Sequence, residues 1–156
     1  VLDGLGISTR FGLGQFARNY AFFQPELLPA TDANRDAARE WLDRWFVTEG
    51  SMPSGTPNTR TGSPGFIELM KEAFAMKPDV IFVISDGGFY AGSDGGSGYG
   101  GGKIPYDDIE DAFKEYQETV SEPVQINFIG VGMDGRDRSD MRRIISRNGG
   151  KFREMR

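Results

Sequence analysis

Residues 79–89 read DVIFVISDGGF. An apolar run from Val80 to Ile84, preceded by Pro78 and followed by two glycines, has the composition of a strand buried on both faces. Central strands of parallel sheets take that form, because helices cover both sides of the sheet. Such a strand carries Asp86 out of the core at its carboxyl end. In open α/β sheets, ligands bind outside the carboxyl ends of the strands. Gly87 and Gly88 let the backbone leave sharply and leave room beside the carboxylate. Asp86 is therefore the first candidate functional residue, and the plainer alternative is a carboxylate that caps the following turn.

Working outward from this strand, the pattern predicts a second buried strand at Gln125 to Gly132, QINFIGVG. KFREM, Lys151 to Met155, reads as a last strand. Between them lie two helices. One runs from Pro105 to about Val120, with Tyr106, Ile109, Phe113, Tyr116 and Val120 on one stripe. The other is opened by Ser139 or Asp140, carries Met141, Ile144 and Ile145, and is closed by Asn148-Gly149-Gly150. Upstream, Phe66, Leu69, Met70, Ala73 and Phe74 share one side of a helix that ends before Lys77-Pro78. RFGLGQF (10–16) and YAFF (20–23) read as an antiparallel hairpin turning near Arg18 and Asn19. Thr31 or Asp32 then caps a helix whose apolar face is Ala33, Ala37, Ala38, Trp41, Leu42, Trp45 and Phe46. Alternating helices and strands in the second half imply a mostly parallel sheet, hence a three-layer α/β/α domain with an antiparallel hairpin at its edge.

Composition narrows the chemistry. The chain has 156 residues, enough for one domain with a sizeable core, and a net charge of −5 spread along it. No basic stripe is offered to phosphates, which argues against nucleic acid as a partner. No apolar run approaches the ~18 residues of a membrane span. Cysteine and histidine are both absent. That excludes disulfides, zinc held by thiolate or imidazole, and Ser-His-Asp or Cys-His catalysis. Any metal must be a hard cation held by oxygens, such as Mg²⁺, Mn²⁺ or Ca²⁺.

Two long loops flank the Asp86 strand. Thr48 to Gly65, TEGSMPSGTPNTRTGSPG, ends in RTGSPGF, which places the hydroxyls of Thr61 and Ser63 just before a helix. A hydroxyl and a carboxylate with waters make half of an Mg²⁺ shell, although either hydroxyl also suits a helix N-cap. The glycine-rich loop Gly87 to Lys103 contains a G-x-G-x-x-G match at Gly96, Gly98 and Gly101. A phosphate loop would need Ser or Thr where Ile104 stands, and a dinucleotide turn would join strand directly to helix. The loop reads better as a mobile segment beside the binding edge, with Phe89, Tyr90 and Tyr99 as contact residues, or equally as a disordered surface insertion.

Strand-Ser-Asp-Gly, then a helix, then INFIGVG, then a short helix ending NGGKF, resembles a von Willebrand factor type A (vWA) domain. The hairpin RFGLGQFARNYAFFQPELLPAT followed by an amphipathic helix is similar to the early part of that family. The resemblance runs from about Arg10 to Met155. It implies a Rossmann-like fold and a metal-dependent site at the top of the sheet, built from Asp-x-Ser-x-Ser, a Thr and an Asp. Asp86 matches the Asp and Thr61 best matches the Thr, with Thr56 and Thr59 as rivals. The Asp-x-Ser-x-Ser motif has no counterpart, since Asp137 to Met141 fits it only in part and follows the wrong strand. VLDGLGIST looks like the tail of the family's first helix, so the expectation is a single domain that lacks the family's first central strand.

The function this resemblance implies is a non-enzymatic, adhesion- or scaffold-type module. It binds a protein partner, whose carboxylate would complete a divalent ion held by Asp86 and Thr61. With so few protein ligands, the ion is expected to bind weakly or not at all in this chain. The alternative is a metal-dependent phosphoryl hydrolase or transferase using Asp86. That chemistry wants a second carboxylate two residues on, where Gly88 stands, and a cation, for which Lys103 is nearest in sequence.

Overall fold

The computed structural model describes residues 2–48, 50–60, 65–91 and 101–155. They form a mixed α/β chain with two compact units, Val1–Leu69 with Tyr90–Gly102, and Met70–Phe89 with Lys103–Arg156. Among the described residues, no helix is long and apolar enough to cross a membrane.

The first unit holds a short 3-10 turn (Leu2–Gly4), strands β1 (Arg10–Phe11), β2 (Gly14–Phe16), β3 (Tyr20–Phe22), β4 (Leu28–Pro29) and β5 (Thr59–Arg60), and helix α1 (Asp32–Trp45). The single strand expected over 10–16 is broken. β1 pairs antiparallel with β4, while β2 and β5 flank β3 in a separate antiparallel sheet. Leu13 sits at the break, where its carbonyl accepts the Phe23 N–H at 2.9 Å. Thr31 caps α1 as expected, its hydroxyl accepting the Asn34 N–H at 3.3 Å. The apolar face is narrower than its spacing suggests. Ala38 and Trp41 are buried, Ala33 and Ala37 are exposed, and Phe46 lies beyond the last turn, 62% exposed. Phe11, Ala21, Phe23, Ala30, Ala38, Trp41 and Met52 make this unit's core. Gln15, buried in it, donates to the Trp45 carbonyl (2.8 Å) and accepts the Val47 N–H (3.2 Å).

Helix α2 (Gly65–Ala75) presents Phe66, Leu69, Met70 and Phe74 as its buried residues, as the spacing predicts. It closes at Lys77, whose φ of 52° ends the helix before Pro78.

The second unit is built on parallel strands β6 (Val80–Ser85), β7 (Gln125–Val131) and β8 (Phe152–Met155), in that spatial order. Helices α3 (Tyr106–Glu118) and α4 (Gly135–Arg147) make the two crossovers. Both crossovers step the same way across the sheet, which places both helices on one face. Ile126, Phe128 and Gly130 of β7 are buried, with Ile109, Phe113 and Tyr116 of α3 and Met141, Ile144 and Ile145 of α4. Phe128 stacks on Phe152 at 5.7 Å.

Two expectations are corrected here. β6 is not buried on both faces: Val83 is buried, but Val80, Phe82 and Ile84 are 38%, 63% and 58% exposed. The reason is that β6 is an edge strand and its second face has no cover among the described residues. Helix α4 also begins earlier than Ser139, because the Asp134 carboxylate accepts the N–H groups of Arg136 (2.9 Å) and Asp137 (2.8 Å). That capping stabilises a helical turn across residues whose composition alone reads as loop.

After α4 the chain returns to the sheet through Gly149 and Gly150. Gly150 lies so close to β7 that a Cβ there would overlap the Ile126 carbonyl, whereas Gly149, at φ 66°, has open space around it. Gly150→Ala is therefore expected to cost about 3 kcal/mol or more through steric overlap. Gly149→Ala should cost about 1 kcal/mol, from the left-handed backbone alone. Urea unfolding of both variants checks this, and an equal or reversed order would refute the close seating of Gly150.

Candidate functional site

At the carboxyl end of β6 the chain forms two nested turns. The Ser85 hydroxyl accepts the Gly87 N–H (3.1 Å), and Asp86 Oδ1 accepts the Gly88 N–H (2.8 Å). Asp86 thus caps its own turn. Its side chain is exposed, and its second oxygen has no hydrogen bond among the described residues. Gly87 has φ 83°, and a Cβ there would come within 2.6 Å of Met133 Cε and 2.9 Å of the Tyr106 hydroxyl. Glycine is needed at this position for both reasons.

Tyr106, at the start of α3, donates its phenol to the Gly87 carbonyl at 3.0 Å. Its ring lies edge-on to Phe89 at 6.1 Å. Lys103 Nζ sits 2.5 Å from Asp137 Oδ2 and 5.4 Å from the Tyr106 ring centre, a cation–π distance. Together with Asp107, Asp134, Arg136 and Asp140, these residues line a cleft of about 470 Å³. Four carboxylates against two cations make the cleft acidic, even with Asp137 paired to Lys103. The N–H of Asp137, and then that of Arg136, hold the Asp134 carboxyl below its ordinary range, helped by the charges of Lys103 and Arg136.

Asp86 is placed where the sequence put it, although it does not line the cleft. Thr61 and Ser63 lie outside the described residues. The rivals Thr56 and Thr59 belong to the first unit, where both hydroxyls serve their own loop. Thr56 Oγ1 donates to the Pro53 carbonyl and Thr59 Oγ1 to the Thr56 carbonyl, each at 2.8 Å. Residues 92–100 of the glycine-rich loop, with Tyr99 and the G-x-G-x-x-G match at Gly96 and Gly98, also lie outside the described residues. Phe89 is corrected from a contact residue to a core residue, fully buried against Tyr106 and Phe128, whereas Tyr90 is 47% exposed.

As a metal centre, the described donors are few. Asp86 offers one carboxylate and Ser85 a hydroxyl. No group of three or more carboxylates able to hold a metal ion occurs among the described residues. A hard cation at Asp86 would keep most of its water shell.

Sequence reading named Lys103 only as the cation nearest Asp86, Tyr106 only as part of a helix stripe and Asp137 only as a partial motif match, and it missed Asp134. One signal for them was available. β6 and β7 both run into Asp-Gly, at Asp86-Gly87 and Asp134-Gly135, so both parallel strands deliver a carboxylate to the same end of the sheet. The chain matches no family model and no curated protein.

Burial, and then the carboxylates of Asp137, Asp134 and Asp140, hold the Tyr106 phenol well above its ordinary value of 10.0. The folded state therefore keeps a proton that the unfolded chain loses near pH 10. Stability from this group is full below pH 10 and falls as the pH rises beyond it. In a spectrophotometric titration, Tyr106 should ionise well above pH 10. Tyr106→Phe should flatten the alkaline loss of stability, and an unchanged alkaline profile would mean the phenol is not held this way.

Proposed function

We propose that this chain is a non-enzymatic protein-interaction module of the vWA class, of the adhesion or scaffold type, which binds its partner at the carboxyl edge of the β6–β7–β8 sheet. The observation that carries the reading is Asp86, an exposed carboxylate at the end of β6, held by its own turn with one oxygen uncommitted among the described residues. The β6–α3–β7–α4–β8 order with parallel pairing supports a Rossmann-like character, while a third layer over the exposed face of β6 belongs to the proposal alone. Asp86 and Thr61 are the proposed ligands of Mg²⁺, or of Mn²⁺ or Ca²⁺. The ion would supply a positive centre that accepts a carboxylate from the partner, and with so small a donor set its affinity is low.

Phosphoryl transfer at Asp86 finds less support. Gly88 stands where a second carboxylate is wanted, and the one lysine of the cleft, Lys103, is already neutralised by Asp137.

Thermal unfolding tests the metal proposal. A ligand that binds only the native state raises stability by RT ln(1 + [L]/Kd). Millimolar Mg²⁺ should raise the midpoint relative to EDTA in the parent chain and leave Asp86→Ala unmoved. A folded chain whose midpoint ignores Mg²⁺ would remove Asp86 from the role of ligand. Partner binding that survives EDTA would remove the metal from recognition altogether.

A further inference from the structure

The chain around Asp86 is anchored on both sides by core packing. On one side, Ser85 is held in the ladder opposite Gly130. On the other, Phe89 is fully buried and its carbonyl accepts the Ile104 N–H at 2.8 Å. The stretch between the anchors is Asp86-Gly87-Gly88, and its two glycines have no side chains by which to be held. Helix α3 reaches this stretch through its first residue. The Tyr106 hydroxyl donates to the Gly87 carbonyl at 3.0 Å, beside the Phe89 N–H that the same carbonyl accepts at 3.1 Å.

A phenol has one proton to donate, and two acceptors compete for this one. The Asp137 carboxylate lies within hydrogen-bond reach of the Tyr106 hydroxyl, and both residues border Gly87. An unpaired carboxylate is the stronger acceptor and would draw the proton off the carbonyl. Lys103 shifts that balance, because its Nζ sits 2.5 Å from Asp137 Oδ2 and takes up the charge. We propose that Tyr106 is a positioning residue for Asp86, and that the Lys103–Asp137 pair keeps its proton on the Gly87 carbonyl. The inference rests on the reading of Asp86 as the recognition carboxylate. Asp86 Oδ1 is held by the Gly88 N–H, so the aim of the second oxygen follows the turn. A turn fixed before the partner arrives spares the cost of ordering it on binding.

The test is NMR of the turn, made in EDTA so that it succeeds or fails whether or not Mg²⁺ binds. Tyr106→Phe keeps the ring and its edge contact with Phe89 and removes only the hydroxyl. The Gly88 amide should then exchange about fivefold faster, the effect of one lost neutral hydrogen bond. The three-bond couplings of the Asp86 β-protons should move from a single rotamer toward the average. The core amides of Ile126 and Phe128 should keep the parent's rates. Lys103→Met should shift Gly88 and Asp86 in the same direction, because Asp137 then takes the proton, and Lys103→Arg should restore both. Unchanged Gly88 exchange and Asp86 couplings in Tyr106→Phe would overturn the proposal. So would an equal speeding at Ile126 and Phe128, which would make the hydroxyl a general stabiliser of the unit. Lys103→Met behaving as the parent would overturn the part given to the ion pair.

Discussion

The parallel ladder between β6 and β7 governs the second unit. Six consecutive register pairs, from Val80 with Gln125 to Ser85 with Gly130, fix the two strands end to end. Because the register is fixed, both strands finish at the same level, and the two Asp-Gly turns that follow them are delivered to one end of the sheet. A slip of one residue would move every side chain to the opposite face, taking Ile126 and Phe128 out of the core. The candidate site is thus a consequence of core packing. Phe128, held between Phe89 and Phe152, pins the strand that places Asp134, while the ladder places Asp86.

Around that end of the sheet the charges are arranged in closed local pairs. Lys103 answers Asp137, and the capping carboxylate of Asp134 answers the first N–H groups of α4. Farther along the helices, Glu110 bridges Arg143 and Arg147, joining α3 to α4. Asp86 stands apart from this scheme, with one hydrogen bond among the described residues, inside its own turn. A carboxylate left out of the pairing that serves its neighbours is what separates it from the structural acids nearby.

Helices and buried strands were legible wherever side-chain periodicity alone decides. Phe66, Leu69, Met70 and Phe74 on α2, and Ile109, Phe113 and Tyr116 on α3, are buried as their spacing predicts. Legibility failed where a tertiary choice intervenes. An apolar run such as VIFVIS reads the same whether one or both faces are covered, so the exposure of Phe82 is invisible in sequence. The break between β1 and β2 depends on partners seventeen to nineteen residues apart for one strand and closer for the other, which period-two alternation cannot express. Of the site, Asp86 was readable from strand-Asp-Gly. The cleft was not, because Lys103, Tyr106 and Asp137 meet only through the crossovers.

The grip of Gln15 on α1 has a consequence for how the first unit tolerates change. One amide holds both the Trp45 carbonyl and the Val47 N–H. At the other end, Thr31 caps the helix and Arg35 reaches the Leu5 carbonyl at 2.6 Å. The helix is a rod fastened at both ends. A single inserted residue would turn everything beyond it by about 100° and lengthen the rod by about 1.5 Å, and neither fastening has slack to absorb that. Among natural versions of this unit, α1 should therefore keep a constant number of residues.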